Sequence, residues 1–169
     1  MVMSGAPLDV SGWIREAKQT SKEVFAAAHP HCFLVAYVPQ AGDKAQPAFR
    51  TEIVQEGGFD PSKTILVLPI VRTEHSPYAD RVSVGRARNC DVVLRHSSVS
   101  KLHAQIRLQT DGALELVDLG SRNGTFVDGL RLEPKTSRML SAGAHVAFGE
   151  IVGNVLDAAR AHAALSRLG

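Results

Sequence analysis

Short apolar runs separated by turn residues fill the chain from residue 65 onward. Short strands with frequent turns are typical of an antiparallel β-sandwich, whereas a doubly wound sheet alternates its strands with helices. The sequence therefore predicts a mainly β protein. The predicted strands are residues 65–71, 81–84, 92–94, 103–108, 114–118, 125–127 and 145–148.

Two Asp-Gly pairs stand between predicted strands, at Asp111-Gly112 and Asp128-Gly129. A two-residue hairpin turn favours this pair because both of its central residues need a positive φ. The sequence predicts a tight hairpin at each position.

The two ends of the chain have a helical pattern instead. Apolar residues between positions 13 and 28 recur at three- and four-residue steps, which predicts one amphipathic helix that ends at His29-Pro30. Residues 32–38 and 49–54 read as strands, and residues 155–168 as a short C-terminal helix. We expect the helices to pack on the sandwich, although the first of them also suits a partner protein. The expected division is an extension (1–62), a β domain (63–152) and a terminal helix (153–169).

Composition limits the classes of function. The 169 residues carry a net charge of only +2, which gives no global field for nucleic acid or for an anionic membrane. No apolar run reaches the roughly 18 residues of a membrane-spanning helix. Cys32 and Cys90 have no metal-ligand spacing and are expected to be small buried residues in a reducing compartment. We therefore expect a cytoplasmic protein with no cofactor and no metal.

Basic residues are nevertheless concentrated between residues 85 and 107, where Asp91 is the single acid. Binding a phosphate ester takes a planar guanidinium, a second cation, a hydroxyl and the N–H groups of a tight turn. Arg86, Lys101, Ser100 and the turn at 122–124 supply these groups, and Arg122 adds a cation. No organised nucleophile accompanies them, so the pattern favours recognition over catalysis.

Convergence of these groups does not follow from the pattern. If every strand reversed direction, the loops at 85–90 and 95–101 would lie at opposite ends of the sheet. The strand between them, residues 92–94, spans only about 10 Å, so an irregular path can also bring both loops to one site. The pattern leaves both arrangements open.

From about residue 64 to residue 149 the chain contains, in order, the motifs Gly-Arg (85–86), Asp-Val-Val-Leu (91–94), Val-Ser-Lys-Leu-His-Ala (99–104), Asp-Leu-Gly-Ser-Arg-Asn-Gly-Thr (118–125) and Phe-Gly (148–149). This order of motifs resembles the forkhead-associated (FHA) domain. The resemblance implies a β-sandwich of about eleven strands that binds phosphothreonine peptides through loops at one end. Position 122 is often Thr in this family and is Arg here.

The resemblance also implies roles for individual residues. Four of them contact the phosphate: Arg86, Ser100, Lys101 and Arg122. Asn123 holds the peptide backbone, and Ser121 belongs to the same binding set. The site is supported by Gly85, His103 and Gly124.

Two other groups of residues could suggest a catalytic site or a metal site. Ser100, His103 and Asp118 are the residue types of an esterase triad, but Ser100 lies outside a Gly-x-Ser-x-Gly turn, so a structural histidine is favoured. The segment from His29 to Cys32 lacks a local set of four ligands and is read as a turn between a helix and a strand.

The sequence thus predicts a non-catalytic module that recognises a threonine-phosphorylated protein and acts as a signalling adaptor for substrates of a Ser/Thr protein kinase. The alternative is a phosphate-independent scaffold or oligomerisation module. Nucleic-acid binding by the basic segment and hydrolysis through Ser100 are weaker hypotheses, and we expect no nucleic-acid or membrane partner. The pattern does not predict an oligomeric state.

Overall fold

The computed structural model describes residues 9–39, 64–76, 78–141 and 143–168. These ranges contain eleven strands and three helices. The helices are α1 (Val10–Gln19), α2 (Lys22–Ala28) and α3 (Ala158–Ser166). The strands are β1 (Phe33–Val38), β2 (Thr64–Pro69), β3 (Arg81–Gly85), β4 (Val92–Val93), β5 (Ala104–Leu108), β6 (Leu114–Asp118), β7 (Thr125–Val127), β8 (Leu130–Arg131), β9 (Ser137–Leu140), β10 (His145–Phe148) and β11 (Ile151–Leu156).

The strands form two sheets, which confirms the predicted eleven-stranded β-sandwich. One sheet has the order β2-β1-β11-β10-β7-β8 and the other the order β4-β3-β5-β6-β9. The described ladders are antiparallel, apart from a parallel pair between β3 and β4. The main core lies between the sheets and includes Leu116, Phe148 and Ile151.

Strand β1 is buried on both of its faces. Leu34 and Ala36 belong to the core between the sheets, whereas Phe33 and Val35 belong to a second apolar cluster on the outer side. A strand buried on both faces needs no polar alternation, which explains the continuous apolar run at this point of the sequence.

The second cluster joins the three helices to the outer face of the six-stranded sheet. We call α1, α2 and α3 together the helical layer. Trp13 of α1 meets the ring of Phe33 edge-on with the ring centroids 5.1 Å apart, and Phe25 of α2 is fully buried beside them. Ala161 and Leu165 of α3 complete the cluster. The three helices therefore pack on the sandwich through this cluster.

The predicted N-terminal helix is two helices, because the chain breaks at Thr20 and Ser21. Thr20 has an extended backbone with φ −121° and ψ 153°, and its hydroxyl donates to the Glu16 carbonyl at 2.7 Å. The Ser21 hydroxyl then caps α2 by accepting from the Val24 N–H at 3.3 Å. Both hydroxyls compete with helix continuation, and the apolar periodicity alone did not reveal this.

The C-terminal helix begins later than predicted. Val155 and Leu156 stay in β11, and Asp157 caps α3 by accepting from the Arg160 N–H at 2.8 Å.

The two Asp-Gly pairs have different outcomes. Asp128 and Gly129 have φ values of 48° and 81° between β7 and β8, which confirms a two-residue hairpin. At Asp111-Gly112 only Gly112 has a positive φ, and the Gly112 N–H donates to Gln109 in a longer loop. The turn type predicted there is therefore wrong. The predicted strand at 49–54 lies outside the described residues, and β8, β9 and β11 were not predicted.

Candidate functional site

The parallel pairing of β3 and β4 brings two of the predicted site loops together. The chain leaves β3 at Gly85, loops through residues 86–91 and then runs beside β3 in the same direction. The Leu94 N–H donates to the Gly85 carbonyl at 2.8 Å, and the Arg86 N–H donates to the Ser100 carbonyl at 3.0 Å. Of the two arrangements that the sequence left open, the structure has the one in which both loops lie at the same end.

Gly85 is required by this contact between loops. A Cβ atom at this position would lie 2.3 Å from the Lys101 carbonyl oxygen and 3.0 Å from the Sγ of Cys90. The first of these atoms is backbone and has little room to move. Cys90 is buried, with its Sγ 3.3 Å from the same carbonyl, whereas Cys32 is only half-buried.

His103 connects the loop before it to the loop after β6. Its Nδ1 accepts from the Ser100 backbone N–H at 3.1 Å, so the ring proton is on Nε2, which donates to the Gly124 carbonyl at 3.0 Å. Burial lowers the pKa of His103, while the Gly124 carbonyl and the Asp118 carboxylate act in the opposite direction. The buried ring is neutral and holds two loops at a fixed spacing.

This geometry does not activate Ser100 as a nucleophile. The Ser100 hydroxyl oxygen accepts from the Arg122 backbone N–H at 3.1 Å, and His103 contacts the backbone of Ser100. The contacts of His103 are therefore those of a structural residue.

The loop at 119–124 is shaped around the carboxylate of Asp118. This carboxylate accepts from the N–H groups of Gly120 and Ser121, from the Ser121 hydroxyl at 2.5 Å and from the Thr125 hydroxyl at 2.6 Å. Burial alone would raise the pKa of Asp118, but these donors lower it overall. The Ser121 hydroxyl also accepts from the Gly124 N–H at 3.0 Å, so its contacts lie inside the loop.

Ser98 joins this loop to the turn between β10 and β11. Its carbonyl accepts from the Asn123 side-chain amide at 2.8 Å, and its hydroxyl accepts from the Glu150 N–H at 2.9 Å. Gly149, with φ 59°, packs so closely that a Cβ atom there would lie 2.5 Å from the Ser98 carbonyl oxygen. Sequence reasoning missed Ser98, because three serines lie between positions 97 and 100 and nothing in the pattern separates them.

Cations surround this hydrogen-bonded frame. Arg86 is exposed and uses its Nε to donate to the Val99 carbonyl at 3.0 Å. Its terminal guanidinium N–H groups, like the side chains of Lys101 and Arg122, have no hydrogen bond or ion pair in the described part of the chain. Because the Ser100 hydroxyl already accepts from Arg122, its own hydrogen remains available for donation. Free donors and cations around one hydroxyl suit a small oxyanion.

Metal-ligand groups and membrane-spanning helices were also sought among the described residues. These ranges contain no group of three or more His, Cys, Asp or Glu residues placed to hold a metal ion. None of the described helices has the length and apolarity that crossing a membrane would take.

The chain is similar to several known proteins. The model of the FHA domain matches residues 82–149. The glycogen accumulation regulator GarA of Mycobacterium tuberculosis is 30% identical over 138 residues, covering 80% of this chain and 82% of GarA. The chain belongs to the FHA family. The oxoglutarate dehydrogenase inhibitor of Corynebacterium diphtheriae is 43% identical over 68 residues, which cover 40% of this chain.

Similarity extends to solved FHA structures. The FHA domain of the CT664 protein from Chlamydia trachomatis has a TM-score of 0.49 and 25% identity, covering 75% of this chain and 97% of that one. Several FHA relatives are matched over a limited part of their length. The chain spans 45% of the corynebacterial inhibitor and 21% of a protein phosphatase 1 regulatory inhibitor subunit homologue from Arabidopsis thaliana.

Proposed function

We propose that this FHA protein binds threonine-phosphorylated peptides and catalyses no reaction on them. The observation that carries the proposal is the set of exposed, unpaired cations beside the Ser100 hydroxyl, at the junction of three loops. A phosphothreonine carries about −1.5 to −2 charges and three strong acceptor oxygens at neutral pH. This site offers complementary donors, and the Asp118 carboxylate within its frame is buried and already accepts hydrogen bonds from the loop.

Each proposed role follows from the chemistry of the side chain. The free guanidinium N–H groups of Arg86 would donate as a pair to two phosphate oxygens, and the Ser100 hydroxyl to the third. Lys101 and Arg122 would add charge at the rim. Asn123 would hold the peptide backbone beside the phosphate, and Ser121 would act by shaping the loop.

Supporting roles are proposed for three further residues. Gly85 permits the contact between loops, His103 sets their spacing, and Gly124, with φ 89°, permits the turn after Asn123. None of the three would need to touch the ligand.

The biological role that we propose is that of a cytoplasmic signalling adaptor. The ligand would be a protein phosphorylated on threonine by a Ser/Thr protein kinase. The names of two relatives, a regulator and an inhibitor, are consistent with control through protein contact. The division of the chain at residues 62 and 152 stays a prediction. Limited proteolysis of the full chain would test it. Strand β1 belongs to the first extension in this division, although it pairs with β2 and β11 in the six-stranded sheet.

Replacing Arg86 tests the proposal. We expect Arg86→Ala to weaken binding of a phosphothreonine peptide about 100-fold, because it removes a charge-assisted contact that is bidentate in our proposal. Arg86→Lys keeps the charge but lacks the paired N–H groups of a guanidinium, so we expect it to give an intermediate affinity. Calorimetry measures the affinities, and the matched control is Arg107→Ala, which removes an exposed arginine from β5.

The free energy of unfolding of Arg86→Ala should fall by no more than about 1.5 kcal/mol, because the hydrogen bond from its Nε to the Val99 carbonyl is the structural contact that the substitution removes. Equal affinity for the phosphorylated and unphosphorylated peptide, or unchanged affinity in Arg86→Ala, would reject the assignment and favour the phosphate-independent scaffold.

A further inference from the structure

Arg131 is a cation that the sequence pattern did not place at the site. It lies on β8, is exposed, and has no carboxylate partner within the described ranges. Its guanidinium carbon lies 6.0 Å from the ring centroid of Phe126, its cross-strand neighbour. A Cβ atom built on Gly124 would lie 2.8 Å from the Nε of Arg131 and 3.0 Å from its Cζ. The guanidinium therefore rests on the backbone of Gly124 as well as near the ring.

Gly124 is part of the same loop as two of the proposed ligand contacts. It directly follows Arg122 and Asn123, and its carbonyl accepts from His103 and from the Gly149 N–H. Successive Cα atoms are about 3.8 Å apart, so the Cα atom of Gly124 lies at most about 7.6 Å from that of Arg122. Arg131 therefore lies against the same loop that carries Arg122.

The surroundings of Arg131 restrict its side chain before any ligand arrives. One aromatic ring and one glycine backbone limit its rotamers, so binding an anion would cost less conformational entropy than it does for a free surface arginine. A guanidinium presents paired N–H groups in a plane, which match the two oxygens of a carboxylate or of a phosphate. An arginine that only covered Phe126 would also have these contacts, but it would not discriminate between ligands.

We propose that Arg131 forms a second oxyanion subsite, which selects phosphothreonine ligands carrying a further acidic group within about four residues of the phosphothreonine. The inference rests on the proposed function, since it concerns the same ligand. The further group is a carboxylate side chain or a second phosphate, each of which can present two acceptor oxygens to a guanidinium. The other exposed cations of this end, which include Arg88 and Arg95, strengthen the attraction for an acidic peptide without fixing its position.

A peptide series on the full chain tests the subsite. The parent peptide carries phosphothreonine between alanines, and each variant carries one aspartate at one of the four positions on either side. We expect at least one aspartate position to raise wild-type affinity about fivefold, the upper range for an exposed ion pair. Arg131→Gln should abolish this gain and leave the affinity for the parent peptide unchanged within about twofold. Arg131→Lys should retain part of the gain.

A phosphoserine at the selected position distinguishes the two sources of the acidic group: a larger gain than aspartate assigns a second phosphate, and an equal or smaller gain assigns a carboxylate. Arg138→Gln, which removes the same charge from exposed strand β9 of the other sheet, should keep the full aspartate gain.

The outcomes separate the subsite from the proposed function. A loss of affinity for all peptides in Arg131→Gln would make Arg131 a residue that only positions the loop, and the absence of any aspartate gain in the wild type would remove the subsite. In both cases phosphothreonine binding that depends on Arg86 would still stand. If the wild type binds no phosphothreonine peptide at all, both the proposed function and the subsite are rejected.

Discussion

The loop end and the helical layer both fasten separate parts of the chain to the sandwich, but they do so by different forces. At the loop end, directional hydrogen bonds through Ser98, His103 and Asp118 connect loops to each other. In the helical layer, rings and alanines pack on β1 and β11. Two buried polar atoms in or beside this layer, the Nε1 of Trp13 and the Nε2 of His31, have no hydrogen-bond partner within the described part of the chain.

This difference separates positioning from stabilisation. Apolar burial is non-directional and proportional to the area removed from water, so it contributes free energy without fixing donors at exact positions. A network of hydrogen bonds contributes less net free energy per contact but fixes each loop relative to the next. We therefore expect substitutions in the helical layer to change stability, and substitutions at the loop end to change affinity.

The largest effect on stability is expected from Trp13→Ala. Trp13 is 1% exposed and contacts both Phe25 and Phe33, so its removal leaves a cavity that the neighbouring rings cannot fill. We expect the free energy of unfolding to fall by about 3–5 kcal/mol, measured by chemical denaturation. Affinity of the folded fraction for a phosphothreonine peptide should stay within about twofold of the wild type. A much larger loss of affinity would show that the two regions are coupled.

Gly85→Ala is expected to break the loop end itself. The added methyl group would clash with the Lys101 carbonyl and force apart the backbone pair of Arg86 and Ser100. We expect a loss of stability of about 2–3 kcal/mol together with weakened peptide binding.

The matched control for Gly85→Ala is Gly112→Ala. At Gly112, φ is 84° and no atom lies within 4 Å of the added Cβ. Conformational strain there should cost about 1–2 kcal/mol without any change in affinity. If both variants bound the peptide equally well, the contact at Gly85 would have no part in recognition.

A smaller effect on stability is expected only at acidic pH, and it concerns His31. Burial, and then the charge of His29, lower the pKa of His31 to about 4 from its ordinary value of 6.5. Between these two values the unfolded chain binds a proton that the folded chain does not, so stability is retained above pH 6.5 and falls as the pH approaches 4. His31→Phe cannot titrate and should lose about 1–3 kcal/mol less than the wild type on acidification from pH 7 to pH 4.5.

The dependence of stability on pH that remains in His31→Phe would include a contribution from His103, because burial also lowers the pKa of His103. Thermal unfolding across this pH range measures both slopes. An identical acid response in His31→Phe and the wild type would show that His31 does not contribute to the pH dependence.

Sequence patterns predicted the β-sandwich well because strand length and turn residues are local properties. The break between α1 and α2 was missed because the apolar positions continue through Thr20 and Ser21 while their hydroxyls end one helix and cap the next. The meeting of loops 86–91 and 95–102 depends on the parallel β3–β4 pair, and a two-residue strand leaves no directional signal in a sequence. Ser98 and Arg131 were missed for the related reason that their roles come from neighbours distant in sequence.

The strands at the lateral margins of the two sheets determine how readily the protein pairs with other polypeptides at high concentration. Among the described strands, β4 and β8 lie at margins and have only two residues each, and β2, at a third margin, ends at Pro69, which has no N–H. Two-residue margins offer a foreign polypeptide few free backbone groups with which to extend the sheet, whereas β9, at the fourth margin, has four residues. At β4 and β8, high local concentration should therefore favour contacts through side chains over the growth of continuous intermolecular β-structure.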